Sequence, residues 1–290
     1  MRVLVTGASG MLGRDVCSVF EEKHEVVATG AEEMDVRDHA LVFQTINQVR
    51  ADVVVHLAGI TDEDKCEEEP DLAYSVNTLG TKNVALACQR LRATMVYVST
   101  LAVFDGTKCA PYTEFDKPNP QSQYAKTKYQ GELLVRDFLD EYYVVRAGWL
   151  FGGGQRDKKF VGMIIDLART RTELMVVNDK FGSPTYTKDL SSGIQQLLET
   201  GQYGTYHMVN TGPGSSRYEI ARKTLKYAKI DTCRLIPCSS AHFPLAAPRP
   251  RMEAGQNYSL ELMGLALMRP WQDALKEYID TTWNEQQDED

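Results

Sequence analysis

The sequence predicts an α/β protein, with a doubly wound parallel Rossmann sheet and a smaller α/β lobe. Two observations carry this prediction. Short apolar, β-branched runs alternate with helical patterns through the first half of the 290-residue chain, and a glycine-rich turn joins the first run to the first helix. Parallel strands need helical crossovers and are covered on both faces, so they read as continuous apolar runs. We therefore expect residues 1–150 to form the Rossmann domain and residues 151–290 to form mainly the smaller lobe, interleaved with the first.

Hydrophobic spacing predicts the elements of the first half. Apolar residues three and four positions apart mark one face of a helix, whereas short unbroken apolar runs mark buried strands. The predicted strands are residues 2–6, 25–28, 53–57, 95–99 and 143–146. The predicted helices between them are residues 12–20, 41–49, 76–87 and 124–139.

The second half is less regular. The predicted helices are residues 160–170, 188–198, 216–228 and 271–283, with turns rich in glycine and proline between them. We expect this part to lie over the carboxyl ends of the strands, where doubly wound sheets bind their ligands.

Composition excludes several classes of protein. The formal charge of −8 argues against a nucleic-acid partner, which requires a basic face. No apolar run approaches the roughly 20 residues that cross a membrane. The six cysteines are scattered without a Cys-x-x-Cys pair, and no metal-ligand spacing is present. We expect reduced thiols, a cytoplasmic protein and no metal.

The glycine-rich turn predicts a dinucleotide site. Gly7, Gly10 and Gly13 stand three residues apart, directly after a predicted strand and at the start of a helix that includes Met11 and Leu12. The first glycine permits a tight turn, the second lets the backbone approach a pyrophosphate, and the third allows close helix–strand packing. The positive end of the helix then faces the phosphates.

The end of the second predicted strand bears on the choice of cofactor. An acid there would bind the ribose 2′-hydroxyl of NAD. Residues 28–31 contain neither an acid nor an arginine, which favours NADPH. Because Glu32 and Glu33 follow closely, NADH is expected to be tolerated.

Two further segments are predicted to contact the cofactor. Asp35 and Val36 are expected to flank the adenine. Leu57, Ala58 and Gly59 follow the third predicted strand and would place backbone near the ribose and diphosphate.

A possible catalytic group follows the fourth predicted strand. Tyr124 and Lys128 are four residues apart and therefore share one helix face. A tyrosine has an ordinary pKa of about 10, and a nearby cation favours its ionised form. Lys128 could also hold the cofactor ribose, while Ser99 and Thr100 end a strand that faces the same region. This pattern is typical of a reductase in which the protein supplies a proton and the cofactor a hydride.

Nearly the whole chain resembles the dTDP-4-dehydrorhamnose reductase family of the extended short-chain dehydrogenase/reductase superfamily. The resemblance rests on these runs: Gly59-Ile60-Thr61, Val103-Phe104-Asp105-Gly106, Tyr124-Ala125-Lys126-Thr127-Lys128, Asn178-Asp179-Lys180-Phe181-Gly182-Ser183-Pro184-Thr185 and Arg249-Pro250-Arg251.

The resemblance implies a role for each matched residue. Thr100 would orient the substrate carbonyl, Tyr124 would donate the proton, and Lys128 would adjust the pKa of Tyr124. Trp149, Phe181 and Arg249 would face the sugar nucleotide, so residues 151–290 would be mainly a substrate-binding lobe. The implied activity is NADPH-dependent reduction of the C4 ketone of a nucleotide-activated 4-keto-6-deoxyhexose, dTDP-linked, by a monomer or homodimer.

One departure from the family keeps other interpretations open. The family has an Asp-Tyr pair where this chain has Leu101 and Ala102, so the sugar could differ, or another side chain could compensate. One alternative is a non-catalytic NADP-binding regulator that resembles the regulatory subunit of methionine adenosyltransferase. Another is a nucleotide-sugar epimerase or dehydratase.

Overall fold

The computed structural model describes residues 1–154, 157 and 159–284. The strands in chain order are β1 (Arg2–Thr6), β2 (Glu25–Thr29), β3 (Val53–His56), β4 (Thr94–Thr100), β5 (Tyr142–Ala147), β6 (Trp149–Phe151), β7 (Glu173–Val177), β8 (Phe181–Gly182), β9 (Pro184–Tyr186), β10 (Gly204–His207), β11 (Ser215–Ser216), β12 (Arg234–Cys238) and β13 (Met252–Glu253).

Helices cover both faces of the central sheet and much of the smaller lobe. In chain order they are α1 (Met11–Glu21), α2 (His39–Val49), α3 (Glu63–Glu68), α4 (Pro70–Ala73), α5 (Thr81–Leu91), α6 (Gln123–Phe138), α7 (Phe160–Thr170), α8 (Thr187–Glu199), α9 (Arg217–Tyr227), α10 (Tyr258–Leu262) and α11 (Trp271–Ile279).

The central sheet has six strands in the order β2-β1-β3-β4-β5-β10, all paired in parallel. Side chains alternate across it, so Val3 and Val5 join the core under α1 and α8, whereas Leu4 joins the core under α2, α5 and α6. The strand order reverses between β1 and β3, where a doubly wound sheet opens a crevice at its carboxyl edge. The predicted fold class is confirmed.

The second half of the chain contributes to both parts of the molecule. Strand β10 extends the central sheet beside β5, and α8 packs on α1, with the Gln195 amide donating to the Val19 carbonyl at 3.1 Å. The remaining strands form small sheets in which β7 pairs with β12, β6 with β9, and β8 with β11 and β13. Helices α7, α9 and α11 enclose the core of this lobe around Ile165, Ile220 and Leu275.

The predicted helix over residues 76–87 differs from the observed one. Tyr74–Gly80 forms a π-helical turn, and α5 begins only at Thr81. The wider turn brings the Asn77 amide group against the backbone of Ile60, with bonds of 2.8 and 3.1 Å. A side chain at Gly80 would collide with Val36. The π-turn is therefore fixed by contacts with distant residues.

No helix within the described ranges is long and apolar enough to cross a membrane.

Candidate active site

A cleft of about 680 Å³ opens at the carboxyl ends of β1, β3, β4 and β5. It contains most of the residues predicted from the sequence to bind cofactor or substrate. The predicted residues that line it are Gly7, Gly10, Met11, Leu12, Gly13, Asp35, Val36, Leu57, Ala58, Gly59, Ser99, Thr100, Tyr124, Lys128 and Trp149. The cleft lies at the reversal of strand order, where such folds bind nucleotides.

The glycine turn at one end of the cleft has little room for side chains. Gly7 has a φ of +66°, and a Cβ there would lie 2.8 Å from the Ala58 nitrogen. A Cβ at Gly13 would collide with the Gly7 carbonyl. Helix α1 begins just beyond Gly10 without a side-chain cap, so its first N–H groups remain available for phosphate oxygens.

Beyond β2, the cleft contains a charged pair that the sequence analysis did not assign. The Arg37 guanidinium binds the Asp35 carboxylate, with a shortest distance of 2.6 Å. Both residues line the cleft. Glu33 bends back toward the end of β2, and its carboxylate accepts a hydrogen bond of 2.8 Å from the Gly30 nitrogen. An acid therefore lies near the end of β2, three residues later in the chain than Gly30.

The segment after β3 is held by the strand beside it. The N–H groups of Leu57 and Ala58 donate to the Thr6 hydroxyl at 3.2 and 3.1 Å. A Cβ at Gly59 would lie 2.9 Å from the Asn77 side-chain oxygen. These contacts keep the backbone of this segment close to the glycine turn.

Tyr124 and Thr100 meet in the middle of the cleft. Ser122 caps α6, which places Tyr124 in its first turn. Burial and the nearby Glu63 charge raise the pKa of Tyr124 above its ordinary value, and the neighbouring Thr100 side chain opposes this shift. Tyr124 is therefore protonated near neutral pH and can serve as an acid.

Lys128 lies on an aromatic ring beneath α6. Its Nζ atom is 4.1 Å from the ring centroid of Tyr97, whose hydroxyl donates to the Lys128 carbonyl at 3.1 Å. A Cβ at Gly131 would collide with that hydroxyl, so the helix can approach the ring because residue 131 is glycine. Burial lowers the pKa of Lys128 to about 7, and the charge of Glu132 opposes this shift.

A buried ion pair ties α6 to the sheet behind these groups. The Arg146 guanidinium, 3% exposed, binds both oxygens of Glu132, which is fully buried, with a shortest distance of 2.7 Å. The Ser99 hydroxyl donates to the same carboxylate at 2.5 Å. Tyr124, Lys128 and Glu132 follow at intervals of four residues, so this anchor fixes the helix face that carries the first two.

Two residues predicted to face the substrate do not line the cleft. Phe181 lies in β8, and Arg249 lies behind the cleft wall. Arg249 binds Glu63 at 3.3 Å and Asp64 at 3.1 Å.

The cleft wall contains charged residues that sequence reasoning missed. Lys159, Arg217 and Glu253 line it, and the Trp149 indole donates to the Glu253 carboxylate at 2.7 Å. The Arg217 guanidinium carbon lies 3.6 Å from the Trp149 ring centroid. No local motif marks these residues, because they lie in distant segments of the chain that come together only when the chain folds.

Leu101 and Ala102, the departure from the family pattern, form an apolar wall of the cleft. Leu101 is nearly fully buried and belongs to a small core with Phe104 and Val209. A Cβ at Gly255 would lie 2.8 Å from a Leu101 methyl group. The absence of a side chain at residue 255 therefore leaves the space that Leu101 fills.

We expect Gly255→Ala to lower the free energy of unfolding by about 1–3 kcal/mol, the usual cost of overpacking. Urea unfolding checks this, and Gly255→Ala combined with Leu101→Ala should lose less than the sum of the two single variants. Strict additivity would contradict direct packing between these positions.

Nearly the whole chain is similar to known proteins. A family model described as RmlD substrate binding domain matches residues 1–283. The spore coat polysaccharide biosynthesis protein SpsK of Bacillus subtilis is 35% identical over 279 residues, which cover 96% of each chain.

Two solved structures have nearly the same fold. A dTDP-4-dehydrorhamnose reductase from Clostridium acetobutylicum has 40% identity and a TM-score of 0.93, and the match covers 97% of this chain and 99% of that one. The dTDP-4-dehydrorhamnose reductase of Bacillus anthracis, solved in complex with NADP, has 36% identity, a TM-score of 0.93 and the same coverage.

Proposed function

The chain belongs to the family of the RmlD substrate binding domain, and from this premise we propose that it is an NADPH-dependent reductase of dTDP-4-dehydrorhamnose. The observation that carries the proposal is the meeting of Thr100, Tyr124 and Lys128 in one cleft with the glycine turn. The relatives named dTDP-4-dehydrorhamnose reductase support the substrate, and the relative solved with NADP supports the cofactor. The proposed location is the cytoplasm.

The residues present fit a nicotinamide dinucleotide. The glycine turn and the uncapped start of α1 suit a diphosphate, and Asp35, Val36 and Leu57 are in position to flank the adenosine. The bound cofactor would supply the hydride that reduces the C4 carbonyl.

In the proposed mechanism, the chain itself supplies orientation and one proton. The Thr100 hydroxyl orients the substrate carbonyl, and the Tyr124 phenol gives its proton to the carbonyl oxygen as the C–H bond forms at C4. The Lys128 cation stabilises the tyrosinate that remains. Phe181 and Arg249 would contact the sugar nucleotide only after a rearrangement of the wall.

The direct test follows NADPH absorbance with purified protein and dTDP-4-dehydrorhamnose. One NADPH consumed for each dTDP-L-rhamnose formed, identified by chromatography, would support the proposal. Conversion without net NADPH consumption would favour an epimerase, which recycles its cofactor. NADPH binding without turnover would favour the regulatory alternative.

The depressed pKa of Lys128 predicts an alkaline limit to activity. Tyr124 stays protonated well above neutrality, whereas the Lys128 cation is lost as pH rises through about 7. We therefore expect kcat to fall above that pH. A desolvated cation–π contact contributes about 2 kcal/mol. Tyr97→Leu removes this contact from the Lys128 cation, so the fall in kcat should begin at a lower pH. Tyr97→Phe keeps the ring, so the fall should begin at the same pH as in wild type. Superimposable kcat–pH profiles for all three proteins would refute this role of the ring.

A further inference from the structure

The substrate end of the cleft contains cations without an assigned role. Among the described residues, the Lys and Arg side chains that line the cleft are those of Arg37, Lys128, Lys159 and Arg217. Arg37 is paired with Asp35 at the adenosine end, and Lys128 lies over the Tyr97 ring. Lys159 and Arg217 therefore remain to face the rest of the substrate.

Arg217 is held by stacking and has free donors. It is the first residue of α9, and its guanidinium carbon lies 3.6 Å from the Trp149 ring centroid and 4.8 Å from that of Phe160. Within the described part of the chain, no carboxylate oxygen lies within 4.0 Å of it and no hydrogen bond from its N–H groups is present. A guanidinium that stacks through its face keeps the N–H donors at its edge available for a pair of hydrogen bonds to an oxyanion.

Arg249 has the opposite environment. Its guanidinium binds Glu63, Asp64 and the Ala247 carbonyl, at distances of 3.3, 3.1 and 3.0 Å. Its donors are therefore used within the protein. If one arginine of this wall binds an incoming anion, Arg217 can do so without first breaking an ion pair.

Nearby carboxylates keep Arg217 charged before a ligand binds. Burial lowers the pKa of Arg217 to about 10, while Glu253 and Glu63 oppose that shift, so the side chain is a cation at neutral pH. Glu253 is 7% exposed and its hydrogen bond fixes the Trp149 indole on which Arg217 stacks. The charge is thus positioned by contacts within the protein.

We propose that Arg217, stacked on Trp149, binds the diphosphate of the nucleotide-sugar substrate. This inference rests on the proposed function and deepens it, since the diphosphate of a nucleotide sugar joins its nucleoside to its sugar. Lys159, whose Nζ atom lies 3.5 Å from the Thr61 hydroxyl on the same wall, adds a second positive charge.

Ligand binding tests this without requiring turnover. Titration calorimetry would measure dTDP, UDP, GDP and thymidine binding to wild type, Arg217→Gln, Arg217→Lys and Arg249→Gln, the competing arginine. The matched control is Arg222→Gln, an exposed arginine of α9 that does not line the cleft and should bind as wild type does. Hydrogen bonds to charged groups contribute about 1.5–3 kcal/mol, so Arg217→Gln should weaken binding of the preferred nucleoside diphosphate by about 10- to 100-fold. Arg217→Lys should be intermediate, while thymidine and NADPH affinities should stay unchanged.

Three results would each overturn the proposal. The first is nucleoside diphosphate affinity in Arg217→Gln equal to that of wild type, and the second is an equal or larger loss in Arg249→Gln. The third is a wild-type protein that binds none of the nucleoside diphosphates. If Arg217→Gln does not fold, the Arg217→Lys comparison decides. Failure to reduce dTDP-4-dehydrorhamnose would reject the proposed function separately, because the affinities are measured without catalysis.

Discussion

Replacing Tyr124 with phenylalanine should lower kcat by about 10²- to 10⁴-fold, the usual contribution of a positioned general acid. The variant keeps the ring but loses the only atom able to pass a proton from this residue to the carbonyl oxygen. Because α6 is anchored by the Arg146–Glu132 ion pair and not by the Tyr124 hydroxyl, the melting temperature and NADPH affinity should change little. Single-turnover NADPH oxidation measures the chemical step directly.

Tyr129→Phe provides a matched control on the same helix. Tyr129 packs against the small core around Leu101 and does not line the cleft. Its hydroxyl can be removed without touching the proposed proton path. Wild-type turnover in Tyr124→Phe, or an equal loss in Tyr129→Phe, would show that Tyr124 does not donate the proton.

Arg146→Met should lower the free energy of unfolding by about 3–5 kcal/mol, because it leaves a buried carboxylate without its counter-charge. The Glu132 carboxylate is fully buried and is bound by the side chains of Arg146 and Ser99. In the variant, the Ser99 hydroxyl would remain and the guanidinium would be lost. Denaturant unfolding of wild type and variant gives the difference.

The control for this ion pair is an exposed one. Lys23 and Glu199 form a pair of 2.9 Å in which the two side chains are 52% and 49% exposed. Lys23→Met should cost about 0–1 kcal/mol. The double variant Arg146→Met with Glu132→Leu should recover much of the lost stability, since no unpaired charge remains. Equal losses in Arg146→Met and Lys23→Met would contradict the importance of burial.

The local signals in the sequence predicted the Rossmann sheet well, for a physical reason. The inner strands β1, β3, β4 and β5 are covered on both faces, so their apolar runs are visible without knowing their neighbours. The edge strand β10, Gly204–His207, was not predicted because it contains no apolar run. The glycine turn and the Tyr124–Lys128 interval are likewise short-range patterns, and both line the cleft. The π-helical turn before α5 was not predicted. It is held by a hydrogen bond between Asn77 and the distant Ile60, and the spacing of apolar residues along a helix carries no information about such a contact.

The substrate wall shows where sequence reasoning stops. The family resemblance pointed to Arg249, but whether an arginine faces a cleft depends on its partners, and Arg249 is paired with two acids from α3. Arg217 and Glu253 come from segments far apart in the chain, and both contact the indole of Trp149. The residues of such a cluster show no regular spacing in the sequence, so the cluster can be recognised only in the tertiary structure.

The position of β10 and α8 bears on how the protein is made. The glycine turn is synthesised before α8 and β10, yet α1 beside it packs on α8, and β5 gains its outer neighbour only with Gly204–His207. Until α8 and β10 are synthesised, one face of α1 and the outer edge of β5 would therefore remain exposed. Such surfaces are sites for chaperone binding and aggregation. A fragment ending near residue 150 would stay in that condition permanently, which makes it a poor choice for isolating the cofactor site.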